Sequence, residues 1–237
     1  MGADNFGAGG RSVIAYNMTR PLTNDFQVDF LAIGKLKNPS FHRIIEENGG
    51  HVQHVKEVSS KIKRLRSIYS ILKKEKYDIV HINVDDAIEG LFNIILSKLS
   101  GAKIVLHAHT TSSSRGEGFF GRLKMLSAKK IVNFLVDYKM ACSLEAADYL
   151  YGDTDLSDVA IIKNGIIIND FLYNEELRQN VRENLNIPME AIVLGTVGRL
   201  SYPKNPEFMV SLIQTLFSKA PNFYFIWIGD GEERASI

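Results

Sequence analysis

The sequence predicts an α/β protein made of two Rossmann-like, doubly wound parallel-sheet domains. Three observations predict it. Short apolar runs rich in β-branched residues alternate with longer stretches of helical periodicity, the pattern of parallel strands covered on both faces. A glycine-rich turn, GAGGRS (7–12), stands directly before the first helical stretch. The strand–helix alternation then restarts near Ala191, after the proline-containing stretch NIPME (186–190). The expected organisation is an N-terminal domain over 1–164, a linker over 165–190 and the start of a second domain over 191–237.

Taken in order, the strands of the first domain are expected at 27–33 (QVDFLAI), 51–55 (HVQHV), 78–84 (DIVHINV), 103–109 (KIVLHAH), 138–143 (YKMACS) and 159–164 (VAIIKN). Helices are expected near 11–20, 61–76, 86–99, 119–136, 144–151 and 174–185. The second domain reads as a strand at its start, a turn with two cations, a helix, and the strand YFIWI (224–228). A doubly wound domain opens with a strand, then a glycine-rich turn, then a helix. Here the turn comes first, so the N-terminal sheet is expected to lack its first, central strand. The second domain is expected to hold two strands of a sheet of about six. Both features should leave apolar surface in water, with YFIWI keeping an uncovered face and an unpaired edge.

Composition narrows the class. The 237 residues are 45% hydrophobic and 23% charged, ordinary values for a globular protein. A formal net charge of +1 exerts no global pull on nucleic acid. Cys142 is the sole cysteine, so no intrachain disulfide can form, and a reducing, cytoplasmic setting is expected. No apolar run reaches the roughly 18–20 residues of a membrane span.

Several short patterns carry chemistry. Gly9 and Gly10 precede a helix, where backbone N–H groups and the helix dipole attract anions; a plain flexible terminus explains them equally well, since no complete G-x-G-x-x-G is present. His107 and His109 stand two apart on a strand and point the same way. They suit a polar site at the carboxyl end of a parallel strand, a structural pair, or a shared metal. The metal reading is disfavoured because the other four histidines all lie upstream. The stretch 61–76 holds seven basic residues and one acid, with Ile62, Leu65, Ile68, Tyr69 and Leu72 in one apolar stripe. A core-facing stripe with a solvated back is the preferred reading, and contact with anionic lipid headgroups is the alternative. FFGRLKMLSAKK (119–130) places aromatics beside cations and strengthens that alternative. Asn164-Gly165 reads as a simple turn or as a functional loop near the domain junction. Arg199 and Lys204 fall just past a strand end where a helix begins, a geometry suited to a diphosphate.

Together the pieces GAGGRS, YDIVHIN (77–83), AKIVLHAHTTS (102–112), VAIIKNGIIINDF (159–171), GTVGRLSYPKN (195–205) and IGDGEER (228–234) resemble the retaining, two-Rossmann-domain glycosyltransferases of family 4, which have the GT-B fold and serve bacterial capsule and exopolysaccharide assembly. The resemblance implies transfer of a sugar, with retention, from a nucleotide-sugar donor, UDP-linked by family habit, to a saccharide or polyprenyl-linked acceptor. The donor is a substrate, so no cofactor and no metal are expected, and no nucleic acid. It assigns the donor diphosphate to Arg199 and Lys204, with Gly9, Gly10, Asn164, Gly165 and Gly229 in donor binding. It places His109, and His107 as second choice, at the transferred sugar. It also implies a cytoplasmic enzyme, with peripheral contact on the inner membrane face through 61–76 and 119–130. Two departures stand out. The family's pair of glutamates eight positions apart is expected beyond Ile237, and Ile167 stands where the family often has Asp. On those grounds the chain by itself is expected to be inactive. A non-catalytic binding or regulatory remnant of such an enzyme is the competing reading.

Overall fold

The computed structural model describes residues 9–22, 26–33, 39–47, 49–55, 60–152, 155–219 and 222–237. The chain divides into two compact units, 1–167 and 168–237. The first contains α1 (Gly10–Thr19), β1 (Asp29–Ile33), α2 (Pro39–Glu47), β2 (His51–Val55), α3 (Lys61–Glu75), β3 (Ile79–Val84), α4 (Ala87–Ser100), β4 (Lys103–Ala108), α5 (Gly118–Leu135), β5 (Tyr138–Ala141), α6 (Leu144–Tyr151) and β6 (Val159–Ile161).

All strand pairs are parallel, in one sheet of β1 and β2 and another in the order β3-β4-β5-β6. The strand interiors are apolar because helices cover both faces: Ile82, Val84, Ile104 and Leu106 are all within 1% of complete burial. The largest core cluster joins these residues to Leu31 and Ile33 of β1, Ile68 and Leu72 of α3, Ile94 of α4 and Val132 of α5. At the entry edge, the Asp137 carboxylate accepts bonds from Lys98 Nζ at 2.9 Å, Lys103 Nζ at 3.3 Å and the Ile104 N–H at 2.9 Å. The Lys98 ammonium leads in holding that carboxyl down at about 2. Tyr151, fully buried at the end of α6, donates to the Leu106 carbonyl at 2.6 Å and lies 3.1 Å from that of Met140. One phenol thereby ties α6 to both β4 and β5.

The strands are shorter than the apolar runs suggest. β5 stops at Ala141, and β6 spans only Val159–Ile161, so Asn164 lies in a loop three residues beyond it. α2 is absent from the sequence expectation, although the Asn38-Pro39 step is a helix-start signal. Ile45 is fully buried on it, but at 9 residues the helix is shorter than the window over which helical periodicity stands out. On α3 the stripe narrows to Ile68 and Leu72 at its centre, and Ile62 is 63% exposed.

The second unit contains α7 (Glu175–Asn184), β7 (Ile192–Val197), α8 (Pro206–Lys219) and β8 (Phe223–Ile228). β7 and β8 pair in parallel from Ile192↔Phe223 to Val197↔Ile228. Residues read as linker are fastened into this unit: Arg182 Nη1 donates to the carbonyls of Pro188 at 2.6 Å and Ala191 at 3.1 Å, and Arg178 Nη2 to that of Met189 at 3.0 Å. The small sheet keeps much of its apolar surface in water, with Val197 79% and Ile192 65% exposed.

Removing only the phenol oxygen tests the α6 tie. Tyr151→Phe should lower the unfolding free energy by about 1 kcal/mol, the usual net worth of one buried hydrogen bond. Urea unfolding followed by circular dichroism checks this, and an unchanged midpoint would show that the hydroxyl contributes nothing net.

Candidate functional site

The carboxyl edge of β3 and β4 gathers the polar groups of the first unit. β3 and β4 pair in parallel with Asn83 opposite His107. Side chains on alternate residues share a face, so His81 and Asn83 stand beside His107 and His109. The His107 ring is fully buried, stacked on His81 at a centroid distance of 5.4 Å and tilted against His109 at 4.1 Å. Among the described residues neither ring nitrogen of His107 has a hydrogen-bond partner. His109, one residue past β4, still donates its N–H to the Val84 carbonyl at 3.2 Å. Its Nε2 lies 2.8 Å from Asn83 Oδ1. With the amide oxygen accepting, Nε2 carries the proton and Nδ1 presents a lone pair.

Burial pushes all three imidazoles down, His81 and His109 to about 3 and His107 to about 4. The neighbouring His107 ring and Arg11 guanidinium add to the effect at His109. The cluster is therefore neutral at pH 7 and offers uncharged nitrogens. Among the described residues no three His, Cys, Asp or Glu side chains converge as a metal site.

Beside the histidines, α4 starts with an acidic cap. Asp86 Oδ1 accepts the Glu89 N–H at 2.8 Å, and Glu89 Oε2 accepts the Asp85 N–H at 2.9 Å, a reciprocal capping arrangement. The other Asp86 oxygen accepts from Ser113 Oγ at 2.6 Å and Arg115 Nη1 at 2.7 Å. Burial alone would raise this carboxyl; the Ser113 hydroxyl, the Glu89 N–H and Arg115 outweigh it and hold it below its ordinary value. Arg11 of α1 reaches the same turn, 3.1 Å from Asp85 Oδ2 and 3.3 Å from Glu89 Oε1. These pairs bring Gly9 and Gly10, at the start of α1, to the edge that carries His109. A Cβ on either glycine would meet no atom within 4 Å, so nothing described in the protein itself requires the missing side chains. Asn164 and Gly165 are exposed, and α1 holds their loop through Asn17 Nδ2, which donates to the Gly165 carbonyl at 3.3 Å.

In the second unit, Arg199 and Lys204 flank the turn after β7, and both are exposed. Lys204 lies in a one-turn helix, Tyr202–Lys204, and Asn205 Oδ1 accepts the Phe208 N–H at 3.3 Å to cap α8. Neither cation has an ion-pair partner among the described residues. Their backbone is nonetheless held firmly. The Gly198 N–H donates to Ile228 O at 3.0 Å, the Leu200 N–H to Asp230 O at 3.1 Å, and the Glu233 N–H to Leu200 O at 3.1 Å. Trp227 Nε1 adds a bond to the Gly198 carbonyl at 2.9 Å. The approach demands glycine: a Cβ at Gly229 would lie 1.9 Å from the Gly198 oxygen, and one at Gly231 2.0 Å from the Leu200 oxygen. Gly229 thus shapes the turn that presents Arg199, whatever else it contacts.

The basic segments lie on packed helices. α4 packs against both α3 and α5. α5 contains four cations and no acid, and it exposes Phe119 at 77%, Phe120 at 74% and Phe134 at 87%. On α4, Phe92 is half exposed with Lys61 Nζ 4.4 Å above its ring.

Asn83, Asp86, Arg11 and Arg115 were not singled out in the sequence. Asp86 with Glu89 three residues on is a capping signature, so that pair was findable. Arg11 and Arg115 act on partners 74 or more and 29 positions away, respectively, and no local pattern announces them.

The neutral histidines fix a pH response. Their folded pKa values lie below the unfolded value near 6.5, so the unfolded chain binds more protons as pH falls through about 6.5. Stability should be full above that pH and decline toward pH 4. His107→Leu removes one such group and should make the loss at pH 5 shallower by about 1 kcal/mol per pH unit. Denaturant melts at pH 7, 6, 5 and 4.5 test it; parallel slopes in the two proteins would mean that His107 is not held neutral.

No family model matches the chain. It is 24% identical over 231 residues to EpsF of Bacillus subtilis (strain 168), which carries the name of a glycosyltransferase, covering 94% of this chain and 59% of that protein. It is 26% identical over 186 residues to the UDP-Gal:alpha-D-GlcNAc-diphosphoundecaprenol alpha-1,3-galactosyltransferase of Escherichia coli, covering 72% of this chain and 45% of that one. The chain thus spans about half the length of these curated relatives. Among solved structures, Anabaena HepE in complex with UDP and glucose superposes with a TM-score of 0.72 at 18% identity, over 97% of this chain and 60% of that one. In sequence and in fold, the chain resembles the nucleotide-sugar glycosyltransferases of the GT-B fold.

Proposed function

We propose that this chain is part of a retaining glycosyltransferase that moves a sugar from a UDP-linked donor to a saccharide or polyprenyl-linked acceptor in cell-surface polysaccharide synthesis. The observation that carries the reading is the pair Arg199 and Lys204: two exposed cations at the carboxyl end of β7, engaged by no carboxylate among the described residues, on a backbone locked by the Gly229–Gly231 turn. As the sugar leaves, negative charge grows on the departing diphosphate. Cations fixed in advance stabilise that charge without reorganisation, and the planar guanidinium fits two phosphate oxygens at once. In the first unit, His109 offers an uncharged Nδ1 to a sugar hydroxyl, with Asn83 holding the ring. Gly9 and Gly10 leave open space for a close approach at the start of α1, and Asn164 and Gly165 join them through Asn17. The relatives' names support the substrate class: the galactosyltransferase takes a UDP-sugar and a diphosphoundecaprenol-linked acceptor.

The same reading includes peripheral contact with an anionic membrane, where a lipid-linked acceptor would be met. Its support is the cation-rich, acid-poor composition of α3 and α5 together with the exposed phenylalanines of α5. Aromatics enter the headgroup boundary while lysines and arginines meet anionic lipid.

Two experiments decide between outcomes. In a chain extended to the length of its relatives, Arg199→Ala and Lys204→Ala should each cost about 2–4 kcal/mol of transition-state stabilisation, and His109→Ala should reduce turnover with little change in melting. Unchanged turnover in both cation variants would place the diphosphate elsewhere. In vesicle co-sedimentation, the protein should bind phosphatidylglycerol-containing membranes and not pure phosphatidylcholine. Phe119→Ser with Phe120→Ser should weaken that binding several-fold; equal sedimentation with both lipids, or no effect of the double variant, would remove the membrane from the proposal.

A further inference from the structure

The corner where β3, β4, α1 and α4 meet pairs off its charges before any ligand arrives. The His109 N–H donates to Val84 O at 3.2 Å and Thr110 Oγ1 donates to Asp85 O at 3.0 Å, so the two strand ends are tied residue to residue. The Asp85 N–H is held as well, by Glu89 Oε2 at 2.9 Å. Arg11 Nη2 lies 3.1 Å from Asp85 Oδ2, and its Nη1 lies 3.3 and 3.5 Å from the two Glu89 oxygens. Arg115 Nη1 lies 2.7 Å from Asp86 Oδ2 and 3.9 Å from Glu89 Oε2. Three carboxylates therefore meet two guanidinium groups, and both guanidinium groups are engaged by them. The Arg11 charge is felt at the His109 ring, where it opposes protonation. His109 adds no cation of its own: Asn83 Oδ1, 2.8 Å from Nε2, leaves a neutral ring whose open nitrogen accepts.

Resting on the glycosyl-transfer reading above, we propose that Asp85 and Glu89 set the substrate class at this corner. By holding Arg11 they select an uncharged sugar ring that donates hydroxyl hydrogens, and they turn away uronic acids and sugar phosphates. The His109 nitrogen and the carboxylate oxygens are acceptors, and hydroxyls are the sugar groups that can donate to them. A sugar carboxylate or phosphate brings acceptors only. It also adds negative charge where carboxylates already outnumber cations, and like charges brought together suppress the wrong partner. To win a guanidinium, the anion would have to draw Arg11 away from Asp85 and Glu89, whose side chains are only 33% and 17% exposed. Breaking a shielded pair leaves an uncompensated charge behind. The corner thus discriminates by repulsion and by keeping its cation occupied.

The test uses the 237-residue chain, isotope-labelled for NMR, and matched methyl glycosides of the gluco and galacto series that differ only in carrying a hydroxymethyl group or a carboxylate. At pH 7 the neutral glycosides should shift the amide resonances of His109 and Thr110, and the uronates should bind there about tenfold or more weakly. Asp85→Asn with Glu89→Gln releases Arg11 and should raise uronate affinity about tenfold, through a charge-assisted pair with the guanidinium. Glu89→Gln alone keeps an oxygen for the Asp85 N–H and should give a smaller gain of the same sign. Adding Arg11→Met should abolish either gain. Equal binding of neutral and charged glycosides by the parent chain would overturn the proposal, as would unchanged uronate affinity in both variants or a gain that survives Arg11→Met. Shifts by neither class at His109 and Thr110 would remove the sugar from this corner, overturning the reading of His109 and the proposal with it.

Discussion

The Asp86 carboxylate is the interaction on which the carboxyl edge of the first unit depends. It is fully buried, yet it stays charged because each oxygen is spoken for. One oxygen starts α4; the other anchors Ser113 and Arg115, and through them the segment between β4 and α5. A buried charge is costly unless paired and hydrogen-bonded. Here the pairing fixes where three separate parts of the chain must meet. Asp85 and Glu89 extend the same turn to Arg11, so the start of α1 takes its position from it too.

The two units place opposite kinds of electrostatics at their strand ends. In the first, burial strips the imidazoles of charge, and acids and bases nearby are already matched to one another. In the second, Arg199 and Lys204 stand exposed on a hydrogen-bonded backbone, with no ion-pair partner among the described residues. A group that handles a neutral sugar hydroxyl gains from the first environment, and one that meets an anion gains from the second.

Much of this was legible in the sequence, for physical reasons that differ by residue. Strands such as DIVHINV and KIVLHAH announce themselves because parallel strands buried on both faces must be apolar throughout. The turn carrying Arg199 and Lys204 was readable because it is local, with strand, glycine, cation and helix start in one run of letters. Asn83 escaped notice because its value comes from strand register, which sets it opposite His107. Arg115 escaped because its partner is on another element. His107 and His109 looked alike in sequence and share a face; only their places along β4, one inside the strand and the other just past its end, make one a buried ring and the other accessible. The short α2 was lost because 9 residues fall below the length over which helical periodicity declares itself.

The lock between the two turns of the second unit has an evolutionary consequence. Gly198 and Leu200 on one turn touch Gly229 and Gly231 on the other at distances that admit no side chain. Neither turn can therefore drift alone. An insertion or a bulkier residue in one would have to be matched by a shift in the other, some thirty positions away. Sequence divergence is thereby steered away from the backbone that presents the cations and toward side chains and loops that face outward.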